Sequence, residues 1–365
     1  MSDTVYESPK GTFELIRPGI PPKQALKAWD AADEYLVSTI SELPEAPEIA
    51  IINDQFGALG TCLNSQTAYW VSDSYCAHQA LIRNLKTNSL NPSLNQLNPL
   101  EDWPINPKVQ TAAIRLPKNL SYLTFLLKKC HANGMNTIYI SGMMKHLPKN
   151  ILQFLQKFGD VSRLPFKKKS TVYKLNISKT INSPYPKSHT FNGIRLTTHA
   201  NVFGRDKLDP GAAFLLEKIN ELPNAEHVAD LCSGSGILGL AYLKKHPESR
   251  MHFFDESYMA VSSSQESSRL NKALNNKFTW ADGLNSCSEQ FDLIICNPPF
   301  HEEHTVGDHI AKRLFKDAKD HLKTDGNLFV IANRHLGYHV SLKKFFNSVS
   351  SIASNGKFVL LKANG

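Results

Sequence analysis

The sequence predicts an α/β protein of two tandem doubly wound units, the first a degenerate copy of the second. Three observations predict it. Short apolar runs of strand length alternate with helical stretches along the chain, as in parallel sheets joined by crossover helices. A strand followed by a Gly loop and a helix occurs twice, after Ile49-Ala50-Ile51-Ile52 and after His227-Val228-Ala229. Only the second occurrence is followed by polar residues at every strand end that would line the crevice of an open sheet.

The chain of 365 residues is 41% hydrophobic, enough for two ordinary cores. No secretory signal and no membrane-spanning run is expected. The six cysteines show no C-x-x-C pair or metal-ligand spacing, which points to a reduced, cytoplasmic protein without structural metal. His301 and His304 flank two acids, but a solvated loop explains them better than a metal site.

The elements follow in order. Phe13 to Pro18 reads as a short strand, Pro21-Pro22 as a turn, and residues 28–40 as an amphipathic helix. Residues 49–54 form a strand leading into the first Gly loop, and Tyr69 to Ser74 a second strand with an acid at its end. Thr111 to Lys118 falls at the fourth-strand position. Residues 119–132 read as a helix, 136–142 as a strand and 149–158 as a helix. A linker is expected over 181–200, with Asn192-Gly193 as a hairpin turn. Residues 202–211 are turn-rich and lead into a helix over 212–220, capped by Asp209 with Pro210 in its first turn. The stretch could also form a lid. The second unit continues with strands at 227–230, 251–256, 277–281, 291–296, 326–332 and 356–362, and with helices at 308–322 and 338–347. Two units follow, residues 1–185 and 186–365.

The charge is uneven. Residues 1–102 hold 6 basic and 13 acidic side chains, residues 103–190 hold 15 basic and one acid, Asp160, and the remainder is near neutral. A basic block of this kind attracts polyanions by phosphate contact and counterion release. Lys145, Arg163, Lys167, Lys168 and Lys169 are its candidate RNA contacts. A solvated basic face is the plainer alternative.

The chemistry concentrates in two runs. Asn297-Pro298-Pro299-Phe300 ends a buried strand. An exocyclic nucleobase amine is a poor nucleophile because its lone pair is delocalised into the ring. An Asn oxygen and the following prolyl carbonyl can each accept one of its N–H groups and aim the lone pair at a methyl donor. Phe300 offers a face for a flipped base. The second run, Asp230-Leu231-Cys232-Ser233-Gly234-Ser235-Gly236, reads as a nucleotide-binding loop. Asp255-Glu256 ends the next strand, where an acid can hold ribose hydroxyls, and Asp282 ends the third, within reach of an adenine amino group.

On these residues the second unit resembles a class I S-adenosylmethionine (SAM)-dependent methyltransferase. With Val202-Phe203-Gly204-Arg205, Leu208-Asp209-Pro210-Gly211, Phe254-Asp255-Glu256-Ser257 and Cys296 to His301, the chain resembles the bacterial rRNA guanine-N2 methyltransferases of the RsmC/RlmG group. Asn53 to Leu59, Ile331 to Leu336 and Asn355 to Phe358 resemble its large-subunit branch. The resemblance implies two tandem Rossmann-like class I methyltransferase domains on mostly parallel seven-stranded sheets. The first would lack cofactor and bind RNA. It implies SAM held by Asp230, Cys232, Gly234, Gly236, Asp255, Glu256, Asp282 and Asn297, catalysis by Asn297, Pro298, Pro299 and Phe300, a protein-poor 23S rRNA substrate and a monomer. Ser233 stands where many relatives have Gly. Methylation of small-subunit rRNA, of adenine N6 or of a glutamine amide remains open, as does a non-catalytic RNA-binding role.

Overall fold

The computed structural model describes residues 4–18, 26–91, 94–299 and 304–365. It divides into two units, Met1–Pro184 and Tyr185–Gly365. The expected α/β class is found in both.

In the second unit, the largely buried strands His227–Leu231 and Phe291–Cys296 pair in parallel at the centre of a seven-stranded sheet. The order across it is Lys277–Trp280, Arg250–Asp255, His227–Leu231, Phe291–Cys296, Leu322–Asn333, Phe358–Asn364 and Ser348–Ser354. The first five run parallel, and Phe358–Asn364 pairs antiparallel with both of its neighbours. Chain order reverses between His227–Leu231 and Phe291–Cys296, so a crevice forms outside their carboxyl ends. Apolar clusters cover both faces, one around Phe253, Phe329 and Leu360, the other around Phe254, Phe315 and Val330.

The first unit has the same order: Asn95–Leu97, Thr67–Val71, Ile49–Ile52, Thr111–Arg115, Thr137–Met143, Ser170–Ile177 and Gly159–Arg163, again with the sixth strand antiparallel to both neighbours. Its edge strand Asn95–Leu97 and closing hairpin lie outside the elements expected from periodicity. Asn95–Leu97 is only three residues long and Gly159–Arg163 holds a single apolar side chain, Val161, so neither gives much apolar signal.

The expected linker is in part ordered structure. Lys187–Phe191 and Ile194–Thr198 form a hairpin closed at Asn192-Gly193, whose φ angles of 49° and 74° make the primed turn. It packs on helix Tyr258–Leu270 through hydroxyls. Ser267 Oγ accepts the Thr197 N–H at 3.0 Å and Ser263 Oγ the His199 N–H at 3.0 Å. That accounts for two of the helix's four buried serines; Ser264 and Ser268 donate instead to the Val261 and Ala273 carbonyls.

Candidate active site

The loop after His227–Leu231 turns by left-handed residues. Cys232 has φ 63°, Gly234 56° and Gly236 79°, and Gly236 caps helix Ile237–Lys245. A Cβ on Gly234 would meet nothing within 4 Å, so its backbone faces open space. A Cβ on Gly239 would lie 2.4 Å from Phe253 Cε1 and 2.9 Å from Asp230 Oδ2. Helix and sheet are thus in direct contact there.

Asp230 is fully buried. Its Oδ2 accepts the Gly239 N–H at 2.9 Å, while Oδ1 and the nearby Ser233 Oγ have no protein partner. Burial raises the Asp230 carboxyl to about 7, with Asp255 adding to the rise and the Gly239 N–H opposing it. The raised folded-state value means that the native protein holds this proton where the unfolded chain has lost it. Stability from this group is therefore full below the unfolded carboxylate range, about pH 4, and is lost as pH rises through about 7. Asp230→Asn should flatten that segment of the curve, measured by urea unfolding at about pH 5 and about pH 8. An unchanged slope would refute the assignment.

Asp255 ties the loop to the next strand. Oδ2 accepts the Gly234 N–H and Oδ1 the Ser257 N–H, both at 2.9 Å. The Glu256 side chain is exposed, and its carbonyl accepts Trp280 Nε1–H at 2.7 Å. Asp282 does not stand open at its strand end. Arg313, from helix His304–His321, donates to both carboxylate oxygens in a fork. The adenine-side role expected of Asp282 would compete with that pair.

Asn297 directly follows Phe291–Cys296. Its Nδ2 donates to Asp209 Oδ2 at 3.4 Å, and its Oδ1 is buried without a partner. Only the NH₂ end of an amide can donate to a carboxylate, so Asp209 fixes which end of Asn297 is left to accept. Pro298 is buried and Pro299 exposed. Phe300 and His301 lie outside the described residues. Among the described residues no His, Cys, Asp or Glu cluster could hold a metal ion. The Cys232 and Cys296 side chains hydrogen-bond, and that contact with burial pushes the Cys232 thiol up. All six cysteines are free.

The sequence marks Asp209 as a helix cap in a possible lid and as part of a family-like run, but not as the partner of Asn297, and it does not mark Arg313. Both pairings join residues far apart in the chain, which no local pattern signals.

The first unit repeats the frame with other side chains. Asp30 and Asp209, Asn53 and Cys232, Gly57 and Gly236, and Gly60 and Gly239 are separated by the same interval, 179 residues. Asn53 has φ 62° and Gly57 74°, matching their counterparts. The Gly60 N–H is again held by a carboxylate at 3.0 Å, now from Asp54, which also accepts Trp70 Nε1–H at 3.1 Å. Ser72, not the expected acid Asp73, takes the place of Asp255, since its Oγ accepts the Ser74 N–H as Asp255 accepts that of Ser257. Arg115 stands at the position of Asn297. Its guanidinium is buried against Asp33 at 2.7 Å and Asp30 at 3.0 Å.

The five candidate RNA contacts are all exposed. Lys168 and Lys169, at φ 48° and 61°, form the turn of the hairpin Gly159–Arg163/Ser170–Ile177. Lys167 and Ser170 exchange both backbone hydrogen bonds across it, at 3.0 and 2.9 Å. Arg163 lies over Phe166 at 4.5 Å, and Lys168 pairs with Glu34 at 2.7 Å. Lys145 lies in the turn Met144–His146, whose Met144 N–H is bonded to Lys169 O at 2.9 Å.

Two family models match the chain. Residues 193–362 match the family described as methyltransferase small domain, and residues 3–179 the RLMG N-terminal domain. The ribosomal RNA large subunit methyltransferase G of Alcanivorax borkumensis is 36% identical, with 99% of this chain and 97% of that protein covered. Proteins of the same name from Ectopseudomonas mendocina and Photobacterium profundum are also 36% identical, covering 99% and 96% of this chain and 99% and 97% of theirs. In fold the chain is similar to the T. thermophilus 16S rRNA N2 G1207 methyltransferase RsmC, solved with AdoMet and guanosine. The TM-score is 0.75 at 20% identity, over 99% of this chain and 97% of that one. The chain belongs to the ribosomal RNA large subunit methyltransferase G family.

Proposed function

We propose that this protein transfers a methyl group from SAM to the exocyclic N2 amine of a guanine in 23S rRNA, protein-poor when modified. It acts as a cytoplasmic monomer. The observation that carries the reading is the Asn297 amide, whose nitrogen is tethered to Asp209 and whose buried oxygen has no protein partner. A buried acceptor without a partner is costly, and an incoming N–H relieves the cost.

The loop fits the donor. Gly234 leaves room for its approach, Asp230 Oδ1 and Ser233 Oγ are unspent polar atoms, and Asp255 ends the adjacent strand as a ribose-binding acid should. When bound, SAM would supply an electrophilic methyl, its sulfur departing as the neutral thioether of S-adenosylhomocysteine, and the methylated amine would release one proton to solvent. Asn297 Oδ1 and the Pro298 carbonyl accept the two N–H groups of the amine and turn its lone pair toward that methyl. Phe300 stacks the flipped base. Positioning carries most of the rate. Residues 1–185 bind RNA through Lys145, Arg163, Lys167, Lys168 and Lys169, and residues 186–365 perform the transfer.

Labelled SAM and rRNA from a strain lacking this protein test the reading. Nucleoside digestion should give N2-methylguanosine at one 23S position. N6-methyladenosine, or label only in the small subunit, would overturn it. RNA affinity should fall steeply with salt. Lys167→Ala, Lys168→Ala and Lys169→Ala combined should weaken it and lower the log–log salt slope by about 2 to 3, with SAM affinity unchanged. A slope equal to that of the wild type would remove the hairpin from the RNA surface.

A further inference from the structure

One oxygen of Asp209 serves two donors. Oδ2 accepts the Ala212 N–H at 2.8 Å, capping helix Pro210–Glu217, and also accepts Asn297 Nδ2–H at 3.4 Å. The helix cap and the end of the fourth strand are therefore joined through a single atom. Gly211 permits the arrangement, since a Cβ there would stand 2.9 Å from that same oxygen.

The first unit holds the same joint. Asp30 caps helix Ala31–Ser41, with Oδ1 accepting the Ala32 and Asp33 N–H groups at 2.8 and 3.2 Å. It also receives Arg115 from the end of the fourth strand, at 3.1 and 3.0 Å. In both units a cap aspartate reaches the residue at the same strand end. What that residue then offers differs. Arg115 presents only donors, whereas an amide tethered by its nitrogen presents a carbonyl.

We propose that Asp209 is a positioning residue for amine methylation: it locks the flip state and direction of the Asn297 amide so that Oδ1 faces the substrate amine. The proposal rests on the reading of Asn297 given above. An amide without this anchor could rotate by half a turn at little cost and offer its NH₂ end to the amine. Donor would then face donor, and the lone pair would not be aimed.

The test uses the full-length protein with 23S rRNA and compares Asp209→Ser, Asp209→Asn and Asn297→Ala. Ser keeps a competent helix cap but is too short to hold the Asn297 amide as well. Asn keeps both the cap and a carbonyl acceptor. Asp209→Ser should lower kcat by ~10–100-fold, with the KM for rRNA, the SAM dissociation constant and Tm close to wild type. Asp209→Asn should recover most of that loss. The proposal is overturned if Asp209→Ser leaves kcat intact, if its loss tracks SAM affinity or Tm, or if Asp209→Asn is as poor as Asp209→Ser. Full activity of Asn297→Ala would instead overturn the reading of Asn297, whatever the Asp209 variants do.

Discussion

Asn297→Ala should slow methyl transfer by ~10²–10³-fold while leaving SAM bound. The substitution removes an acceptor that no protein donor uses, so it breaks no internal bond except the long one to Asp209. Folding and the donor loop, whose contacts run through Asp230, Gly234 and Asp255, should be unaffected. What disappears is alignment of the amine. Loss of one preorganised polar group at a reacting centre costs ~10²–10³-fold in rate. Calorimetry with SAM beside single-turnover methylation separates the two quantities. Parallel loss of binding and rate would show that Asn297 holds the donor rather than the amine.

The second large effect belongs to the first unit. Arg115→Ala should destabilise the protein by about 3–5 kcal/mol, the usual result of removing one partner from a buried ion pair. Burial pushes the Asp33 carboxyl up and the Arg115 guanidinium pulls it back, so without Arg115 the acid is left desolvated and unpaired. For a unit of this size the loss corresponds to a fall in Tm on the order of 10 °C. Arg115→Met combined with Asp33→Leu should restore much of it, since an apolar pair of similar volume avoids the desolvation cost. A single-variant shift below about 1 kcal/mol would mean that water already reaches the cluster.

Residues that act through local geometry were legible in the sequence. Gly234 and Gly236 announce a loop because left-handed turns favour glycine, and Asn297-Pro298-Pro299 announces its strand end because prolines stop a strand. The repeated strand order was legible in outline from periodicity. Long-range pairing was not. Arg115 looked like part of a free basic block, yet it is consumed by Asp30 and Asp33, two members of the acidic first segment. Asp282 looked like an open acceptor and is held by Arg313. Asp73 looked like the counterpart of Asp255, but a one-residue difference in where the strand ends gives that place to Ser72. The hairpin Lys187–Phe191/Ile194–Thr198 reads as linker because only Ile194 and Leu196 are buried in the apolar core, while Thr197 and the adjoining His199 bond to serines of a helix far along the chain.

The lysine-tipped hairpin of the first unit has a thermodynamic consequence. Two non-glycine residues with positive φ store on the order of 1–3 kcal/mol each, and they keep that shape because the cross-turn bonds and the neighbouring Met144 amide hold it. The strain is settled when the chain folds. Were an anion to dock at Lys167, Lys168 and Lys169, with Lys168 exchanging Glu34 for it, the turn's backbone shape would already be set by these bonds, so docking would forfeit little backbone freedom.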